Sequence, residues 1–312
     1  MINRDYQYIR RFMTLHEMFI EDNSLYLYGH DTDYRSSACA NYLRTHARNV
    51  DVVELEFIPR ESMKVVGEGF KPILLKSDKE MTAFFQDYGR KHIYLDVTGM
   101  DVQLVAALLL RSNNQGYEIH VVYAEPEHYI TEQFHKEGED HEWAGVIDGI
   151  KPLPGFANFA NPDEQFIFCV FLGFEGGRFS HLITQMQPLE DYTIPIFGVP
   201  GFRIEYPYYA YWSNHKGMKK TDSSRNVRYA SANSIVDAYL LLHKIGSDNQ
   251  GKLIKVAPIG TKPHAVASIV YAMRHSRYVE VVYDNPQKSE KRSVGVGQIF
   301  DCNITKLLVE HP

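Results

Sequence analysis

The chain has 312 residues, of which 44% are apolar and 23% charged, and its formal net charge is −6. This composition is typical of globular proteins and excludes disordered, fibrous and collagen-like chains. No apolar run approaches the roughly 20 residues of a membrane-spanning helix, and the first residues lack the apolar core of a signal peptide. Cys39, Cys169 and Cys302 lack metal-site spacing, so we expect a cytoplasmic protein without a membrane partner or a cysteine metal site.

Charge is divided unevenly along the chain. Residues 1–156 carry 16 Lys and Arg against 25 Asp and Glu, or −9. Subtraction from the totals of 33 and 39 leaves 17 against 14 in the remainder, or +3. An anionic ligand is therefore expected to bind mainly to the second half. Ordinary solvated surface charge is the alternative explanation.

The first half alternates helical and extended patterns. Apolar spacing predicts an amphipathic helix over residues 4–20. The pattern then predicts strands at 25–28, 50–58, 93–97 and 119–123 and helices at 36–46, 81–88 and 102–111. Strands that alternate with helices predict parallel β-α-β construction.

The second half repeats this alternation after an acidic, proline-containing stretch. Residues 125–162 are interpreted as a crossing connection with a helix, followed by a linker. Strands are then predicted at 166–172, 193–199, 253–259 and 279–283 and helices at 179–186, 231–245 and 265–274. Ser231 or Asn233 would cap the second of these helices. We predict an α/β fold of two tandem Rossmann-like units with mainly parallel sheets, at residues 1–156 and 157–312.

An internal repeat relates the two halves. Residues 93–99 and 254–260 each form a predicted strand that ends in glycine, followed by an apolar helix and a strand that ends in Val-Val-Tyr-x-x-Pro. Upstream, Gly29 precedes Ser36 by seven residues, as Gly173 precedes Ser180. Two agreements in the same order favour a tandem duplication. Chance similarity between alternating strands and helices is the alternative.

Four loops follow the carboxyl ends of predicted strands, where doubly wound sheets bind ligands. In the loop at 260–264, Gly260 allows close backbone approach, Thr261 supplies a hydroxyl and Lys262 a cation. The helix after it begins with free N–H groups that bind phosphate or carboxylate. A tight turn with a solvated lysine is the alternative.

The loop at 173–178 contains three glycines, including Gly176 and Gly177, but lacks the dinucleotide fingerprint G-x-G-x-x-G. Arg178 could bind phosphate through two parallel hydrogen bonds. Glu175 could act as a base or neutralise Arg178. A structural turn is the alternative.

The loop at 29–36 begins at Gly29 and offers His30, Asp31, Asp33 and Arg35. The two aspartates could hold Mg²⁺ through oxygen ligands, with His30 as a general base. Asx-turns and helix caps are the commoner role for such residues.

The loop at 98–101 and a segment farther along the chain complete the candidates. Thr98 and Gly99 would touch a ligand through a hydroxyl and a backbone N–H. Residues 215–228 are interpreted as a basic loop that could cover an anionic ligand or nucleic acid. The aromatic residues at 206–212 could stack on bases, although core packing is their commoner role.

The segment at 93–126 resembles the CRISPR-associated Rossmann fold, or CARF, sensor domains. The resemblance rests on Leu95-Asp96-Val97-Thr98-Gly99, an apolar helix and Val121-Val122-Tyr123. The second copy, with Gly260-Thr261-Lys262, resembles it also. Two such units in one chain resemble the fused CARF-like halves of SAVED domains, over some 35 residues per half.

This resemblance implies a defence-associated protein that binds a cyclic nucleotide or oligonucleotide at a pseudo-twofold cleft. The family's ligand-contacting loops correspond to Asp31, Arg35, Thr98, Gly99, Arg178, Thr261 and Lys262. No nuclease, membrane or winged-helix effector is recognised beside the two halves. We therefore expect that a sensor of this kind would need a protein partner or a second copy of itself.

Three functions are compatible with these patterns. The leading hypothesis is a nucleotide-binding sensor or subunit of a prokaryotic defence system, with Tyr34 or the aromatic segment stacking on a base. The first alternative is a Mg²⁺-dependent phosphodiesterase or nuclease that uses Asp31, Asp33, His30 or Glu175. The second is a structural adaptor of a multiprotein defence complex. The candidate ligand-binding residues are Gly29, Arg35, Thr98, Gly99, Gly176, Gly177, Arg178, Gly260, Thr261 and Lys262.

Overall fold

A computed structural model describes residues 7–31, 33–58, 61–69, 71–129, 149–157, 165–286 and 293–311. The chain forms two compact units. The first comprises Met1–Ile130 and Glu290–Pro312, and the second comprises Thr131–Ser289.

The described residues form sixteen strands and eight α-helices. The strands are β1 (Ile9–Phe12), β2 (Ser24–Gly29), β3 (Val50–Ile58), β4 (Ser62–Val65), β5 (Ile73–Leu74), β6 (His92–Asp96), β7 (Glu118–Ala124), β8 (His128–Tyr129), β9 (Lys151–Pro152), β10 (Phe166–Leu172), β11 (Thr193–Gly198), β12 (Arg228–Ala230), β13 (Leu253–Pro258), β14 (Val279–Tyr283), β15 (Ser293–Val294) and β16 (Ile299–Asn303). The helices are α1 (Arg35–His46), α2 (Asp78–Tyr88), α3 (Val102–Asn114), α4 (Gly176–Met186), α5 (Tyr206–Lys220), α6 (Ile235–Asp248), α7 (Lys262–Arg274) and α8 (Ile304–Glu310).

The first unit is built on an eight-stranded sheet of order β1-β16-β7-β6-β2-β3-β4-β5. Its four central strands, β7, β6, β2 and β3, are parallel, and the outer strands are antiparallel to their neighbours. β2 is buried along its whole length, as expected for a parallel strand covered on both faces. Tyr26 and Tyr94 are opposite each other in β2 and β6, and α1 packs on them through Cys39 and Leu43.

The second unit is built on a six-stranded sheet of order β12-β11-β10-β13-β14-β9. Its five parallel strands have the order 3-2-1-4-5 in the sequence of the unit, which is the order of the Rossmann fold. The order reverses between β10 and β13. On one face, Phe168 and Leu172 of β10 pack against Phe179 of α4 and Met218 of α5.

Both sheets share one arrangement of four parallel strands. β7-β6-β2-β3 of the first unit has the same chain order as β14-β13-β10-β11 of the second. In the first unit the order therefore reverses between β2 and β6. The tandem duplication itself stays a prediction, since a common strand order arises in unrelated α/β proteins.

The predicted α/β class with mainly parallel sheets is confirmed, and all eight predicted strands are present. The helix predicted at 4–20 is wrong, because Ile9–Phe12 is a strand that pairs with β16 and Leu15–Glu17 is a short 3₁₀ turn. The basic loop predicted at 215–228 is wrong in its first part, because α5 continues to Lys220. Ser234, and neither Ser231 nor Asn233, caps α6.

Two further predictions concern how the chain is divided. The predicted boundary places residues 157–312 in one unit, whereas β16 pairs with β7 in the first sheet. The helix predicted within 125–162 falls in a stretch that is mostly outside the described residues.

The three cysteines are buried and unpaired with one another. Among the described residues, no helix combines the length and the apolar character needed to cross a membrane.

Candidate functional site

The four predicted loops come together in pairs, each pair within its own unit. A side chain added at Gly29 would lie 2.6 Å from the backbone nitrogen of Met100, so the loops after β2 and β6 are in direct contact. A side chain added at Gly173 would lie 3.0 Å from the carbonyl oxygen of Ile259, so the loops after β10 and β13 are also in contact. Both meeting points lie where the strand order reverses, which is the ligand position of doubly wound sheets.

In the first unit, Arg35 is held by partners from its own unit. Its side chain is buried, and Nη2 lies 2.8 Å from Oδ2 of Asp33. Nη1 donates to the carbonyl oxygen of Ala124 at 2.9 Å, and Nε donates to Ser293 Oγ at 3.1 Å. The guanidinium therefore fastens the start of α1 to the end of β7.

The acidic residues of the first loop are used in the same local structure. Asp31 accepts a hydrogen bond from the Asp33 N–H at 3.0 Å, which is an Asx-turn. Burial opposes ionisation of Asp33, but hydrogen bonds from Arg35 and Ser293 hold its pKa below the usual value. His30 is exposed, and its Nδ1 lies 2.6 Å from Glu54. Among the described residues, no group of three or more His, Cys, Asp or Glu side chains is placed to hold a metal.

Thr98 belongs to a buried polar cluster. Its hydroxyl accepts from the Ala124 N–H at 2.9 Å, and its own N–H donates to Asp96 at 3.0 Å. The second oxygen of Asp96 accepts from the Tyr26 hydroxyl at 2.8 Å. Asp96 is fully buried, and this burial raises its pKa to about 6. Sequence reasoning used Asp96 only as part of a motif, and nothing in the local sequence shows that Tyr26 would reach it.

In the second unit, Arg178 binds a carboxylate in the two-pronged geometry expected for phosphate. Its Nε and Nη2 donate to the two oxygens of Asp284 at 2.7 and 2.6 Å. Its Nη1 donates to Glu175 at 3.2 Å and to the Ile259 carbonyl oxygen at 3.3 Å. These partners raise the pKa of Arg178 against the opposing effect of burial. Arg178 thus links the ends of β10, β13 and β14.

Three buried acceptor atoms near these loops have no hydrogen-bond partner within the described part of the chain. They are Glu175 Oε1, Asn214 Oδ1 and His264 Nδ1. Asn214 is tied to the β10 loop, because its Nδ2 donates to the Gly173 carbonyl oxygen at 2.7 Å. Unpaired buried acceptors cost free energy of about 1–3 kcal/mol each, so these atoms favour a ligand that brings N–H or O–H donors.

The imidazole of His264 is an acceptor because it is neutral. The residue is fully buried, and burial lowers its pKa to about 4. Nε2 lies 3.0 Å from the Ser231 carbonyl oxygen, which assigns the proton to Nε2 and leaves Nδ1 with a lone pair.

The loop after β13 forms the N-terminus of α7. The Thr261 hydroxyl accepts from the His264 N–H at 3.4 Å and donates to the Ala232 carbonyl oxygen at 2.8 Å, so it caps the helix. Lys262 is the first residue of α7 and is partly buried. The helix dipole and the charge of Lys262 would both favour an anion bound at this end of α7.

The predicted ligand-binding glycines have a packing role. A side chain at Gly260 would lie 2.9 Å from the Leu172 carbonyl oxygen, and one at Gly176 would overlap the carbonyl oxygen of Ser213 in α5. A side chain at Gly99 would overlap the Cβ atom of Ser36. Gly177 is in the first turn of α4. Gly260, Gly176 and Gly99 allow close packing at positions where no side chain fits.

The aromatic residues predicted to stack on bases are divided between core and surface. Tyr206 is buried, whereas Tyr34, at the start of α1, is 68% exposed. Tyr208, Tyr211 and Trp212 are also exposed.

Comparison with known proteins identifies no family for this chain. No family model matches it, and no curated protein matches it. A solved structure, the CobK precorrin-6A reductase, is similar over 88% of this chain and 92% of its own length, with 12% sequence identity and a TM-score of 0.26. Because these values are low, the reductase activity of that protein is not carried over to this chain. The fold and the site define the chain only as an α/β protein with two doubly wound sheets.

Proposed function

We propose that the carboxyl edge of the second sheet binds a nucleotide-type ligand. The observation that carries the proposal is a buried oxygen of Glu175 that has no partner among the described residues, at the point where a 3-2-1-4-5 sheet reverses its order. A carboxylate oxygen at this position accepts hydrogen bonds from ribose hydroxyls or a base amino group. Ligand donors would then satisfy an acceptor that the protein leaves buried without a partner.

The phosphate part of such a ligand would bind at the N-terminus of α7. Helix N–H groups and the helix dipole favour an anion there, and Lys262 adds a positive charge. Arg178 would act indirectly, since it holds Glu175 and the β13 loop in place.

A more specific ligand class comes from the sequence resemblance to CARF and SAVED domains. That resemblance supports a cyclic nucleotide or oligonucleotide as the ligand and a sensor role in a prokaryotic defence system. Both points rest on the strand, Thr/Gly loop and helix pattern of the sequence.

Isothermal titration against mono-, di- and cyclic oligonucleotides tests the proposal. We expect at least one ligand to bind, with Kd below about a millimolar, a free energy beyond about −4 kcal/mol. Lys262→Ala should weaken binding about tenfold, because a charged hydrogen bond contributes about 1.5–3 kcal/mol. Glu175→Gln should weaken it as well, with the fold checked by circular dichroism.

Lys244→Ala is the matched control, since Lys244 is an exposed lysine in the last turns of α6. It should leave the affinity unchanged. If no nucleotide binds, or if Lys262→Ala and Lys244→Ala have equal effects, the proposal is wrong.

A further inference from the structure

Aromatic rings on one side of α5 are exposed to solvent and are not packed in the core. The helix is anchored through Ala210, Asn214 and Met218, which are buried, and Gly217 packs against Phe179 of α4. The opposite side carries Tyr208, Tyr211 and Trp212, which are 63%, 51% and 51% exposed. Burying such rings is a large source of binding free energy, so their exposure marks a surface that contacts something else.

The exposed rings form a short ladder along the helix. Tyr208 and Trp212 are stacked, with centroids 6.4 Å apart and planes 21° from parallel. The ring centroids of Trp212 and His215 are 5.2 Å apart, and their planes are inclined by 30°. This spacing follows from the neighbouring positions of residues three and four apart on a helix. These three rings therefore lie in a row along the helix.

The aromatic surface continues onto the edge of the sheet. Tyr229 of β12 is in register with Phe197 of β11, so the two side chains point to the same face. Tyr211 packs against that same Phe197, with ring centroids 6.0 Å apart. Tyr229 is 62% exposed, and it therefore lies beside Tyr211 on one continuous surface.

Positive charge accompanies these rings. α5 contains no acidic residue, and Lys216, Lys219 and Lys220 are exposed in its second half. The nearest acidic residues in sequence are Glu205, which pairs with Arg203 at 2.9 Å, and Asp222, which pairs with Arg225 at 3.3 Å. A polyanion would therefore meet net positive charge along the second half of α5.

We propose that this aromatic–basic face, made of Tyr208, Tyr211, Trp212, Tyr229, Lys216, Lys219 and Lys220, binds single-stranded nucleic acid. Bases would stack on the rings while the lysines contact phosphates, which is how sequence-tolerant single-strand binders work. The distance from Tyr208 to Lys219 along the helix axis is about 16 Å, which leaves room for several nucleotides. A duplex hides the faces of its bases, so single strands are favoured.

Fluorescence anisotropy with labelled DNA and RNA single strands of about 16 nucleotides tests this proposal. We expect binding of the single strands and weaker binding of the matching duplex. Trp212→Ala and Tyr208→Ala should each weaken single-strand binding about tenfold, since one stacked base contributes about 1–3 kcal/mol. Lys219→Gln should lower the salt dependence of the affinity.

Tyr278→Ala is the matched control, because Tyr278 is a tyrosine of the same unit that is 56% exposed. It should not change the affinity. As a second measurement without any change on the face, the fluorescence of Trp212 in a Trp143→Phe protein should be quenched by unlabelled single strands. Quenching by stacking does not depend on the folding of the face variants.

Several results would overturn the proposal. One is the absence of single-strand binding, and another is equal affinity for duplex and single strand. A third is loss of binding in Lys219→Gln with full binding in Trp212→Ala, which indicates charge attraction without stacking. Self-association in sedimentation experiments that disappears in Trp212→Ala, without nucleic acid binding, would assign the face to a second copy of the chain. The binding of small nucleotides at Lys262 is a separate measurement and does not affect this outcome.

Discussion

The carboxyl edges of the two parallel sheets have the same strand order but different polar chemistry. In the first unit, Arg35 pairs with Asp33 and donates to the Ala124 carbonyl oxygen. The Thr98 hydroxyl accepts a hydrogen bond from the Ala124 N–H. In the second, Arg178 is also hydrogen-bonded, but one buried oxygen of Glu175 has no partner among the residues that the structure describes. A shared topology therefore does not give both edges the same binding capacity. The capacity depends on which atoms the loops leave unpaired.

The largest expected loss of stability comes from replacing Arg178, and it should exceed the loss from replacing Arg35. Arg178→Met leaves the fully buried Asp284 carboxylate without its partner, and this should lower the free energy of unfolding by about 3–5 kcal/mol. Arg35→Met should cost less, about 1–3 kcal/mol, because the Asp33 side chain is 24% exposed and water can solvate it. Urea denaturation measures both.

Asp284→Asn in the Arg178→Met protein should recover part of the loss, because it removes the uncompensated charge. An equal cost for the two arginine variants would contradict the difference in burial between their partners.

The pH dependence of stability should have opposite signs in the two units. Burial raises the pKa of Asp96 from 3.8 to about 6, so its protonated form stabilises the first unit. That contribution is full below about pH 4 and is lost as the pH rises through about 6. Burial lowers the pKa of His264 from 6.5 to about 4. Its contribution to the second unit is full above about pH 6.5 and is lost as the pH falls through about 4. Each shift corresponds to about 3 kcal/mol.

Urea denaturation between about pH 4 and 7 tests these signs with one variant in each unit. Asp96→Asn should remove a decrease in stability as the pH rises, and His264→Asn should remove an increase. If both variants change the pH dependence in the same direction, one of the two assignments is wrong.

The smallest expected effect on stability comes from replacing glycine by alanine at the two points where the strand order reverses. Gly29→Ala would bring a side chain to 2.6 Å from the Met100 backbone nitrogen, and the backbone must shift. We expect a loss of about 1–3 kcal/mol, as for other overpacked sites. Gly173→Ala meets a carbonyl oxygen at 3.0 Å and should cost less. Thermal unfolding measures the loss of stability in each variant. A larger loss for Gly173→Ala than for Gly29→Ala would contradict the prediction.

Sequence periodicity predicts the buried parallel strands and most helices of this chain because they are long and strongly patterned. It fails at β1, where Ile9 and Phe12 fit a helical spacing but pair with Cys302 and Ile299 of β16. No local pattern contains a partner almost 300 residues away. It also fails at α5, whose aromatic residues have only moderate helix propensity and whose helix is fixed by packing on α4.

The candidate site is predictable in position and unpredictable in chemistry. The sequence places the four loops at the carboxyl ends of strands, and the structure brings them together in pairs. The sequence does not show that Arg178 has Asp284 as a partner, because the two residues lie 106 positions apart. Nor does it show that the Thr261 hydroxyl is used by Ala232.

The position of β16 in the first sheet has a consequence for synthesis. The ribosome releases the chain from its N-terminus, and domains generally fold in that order. Here the described strands of the second unit, β9–β14, all leave the ribosome before β16 does. β1 pairs only with β16 among the described strands, so it has no neighbour in the sheet until residues 299–303 emerge. The unit that begins first along the chain is therefore completed last.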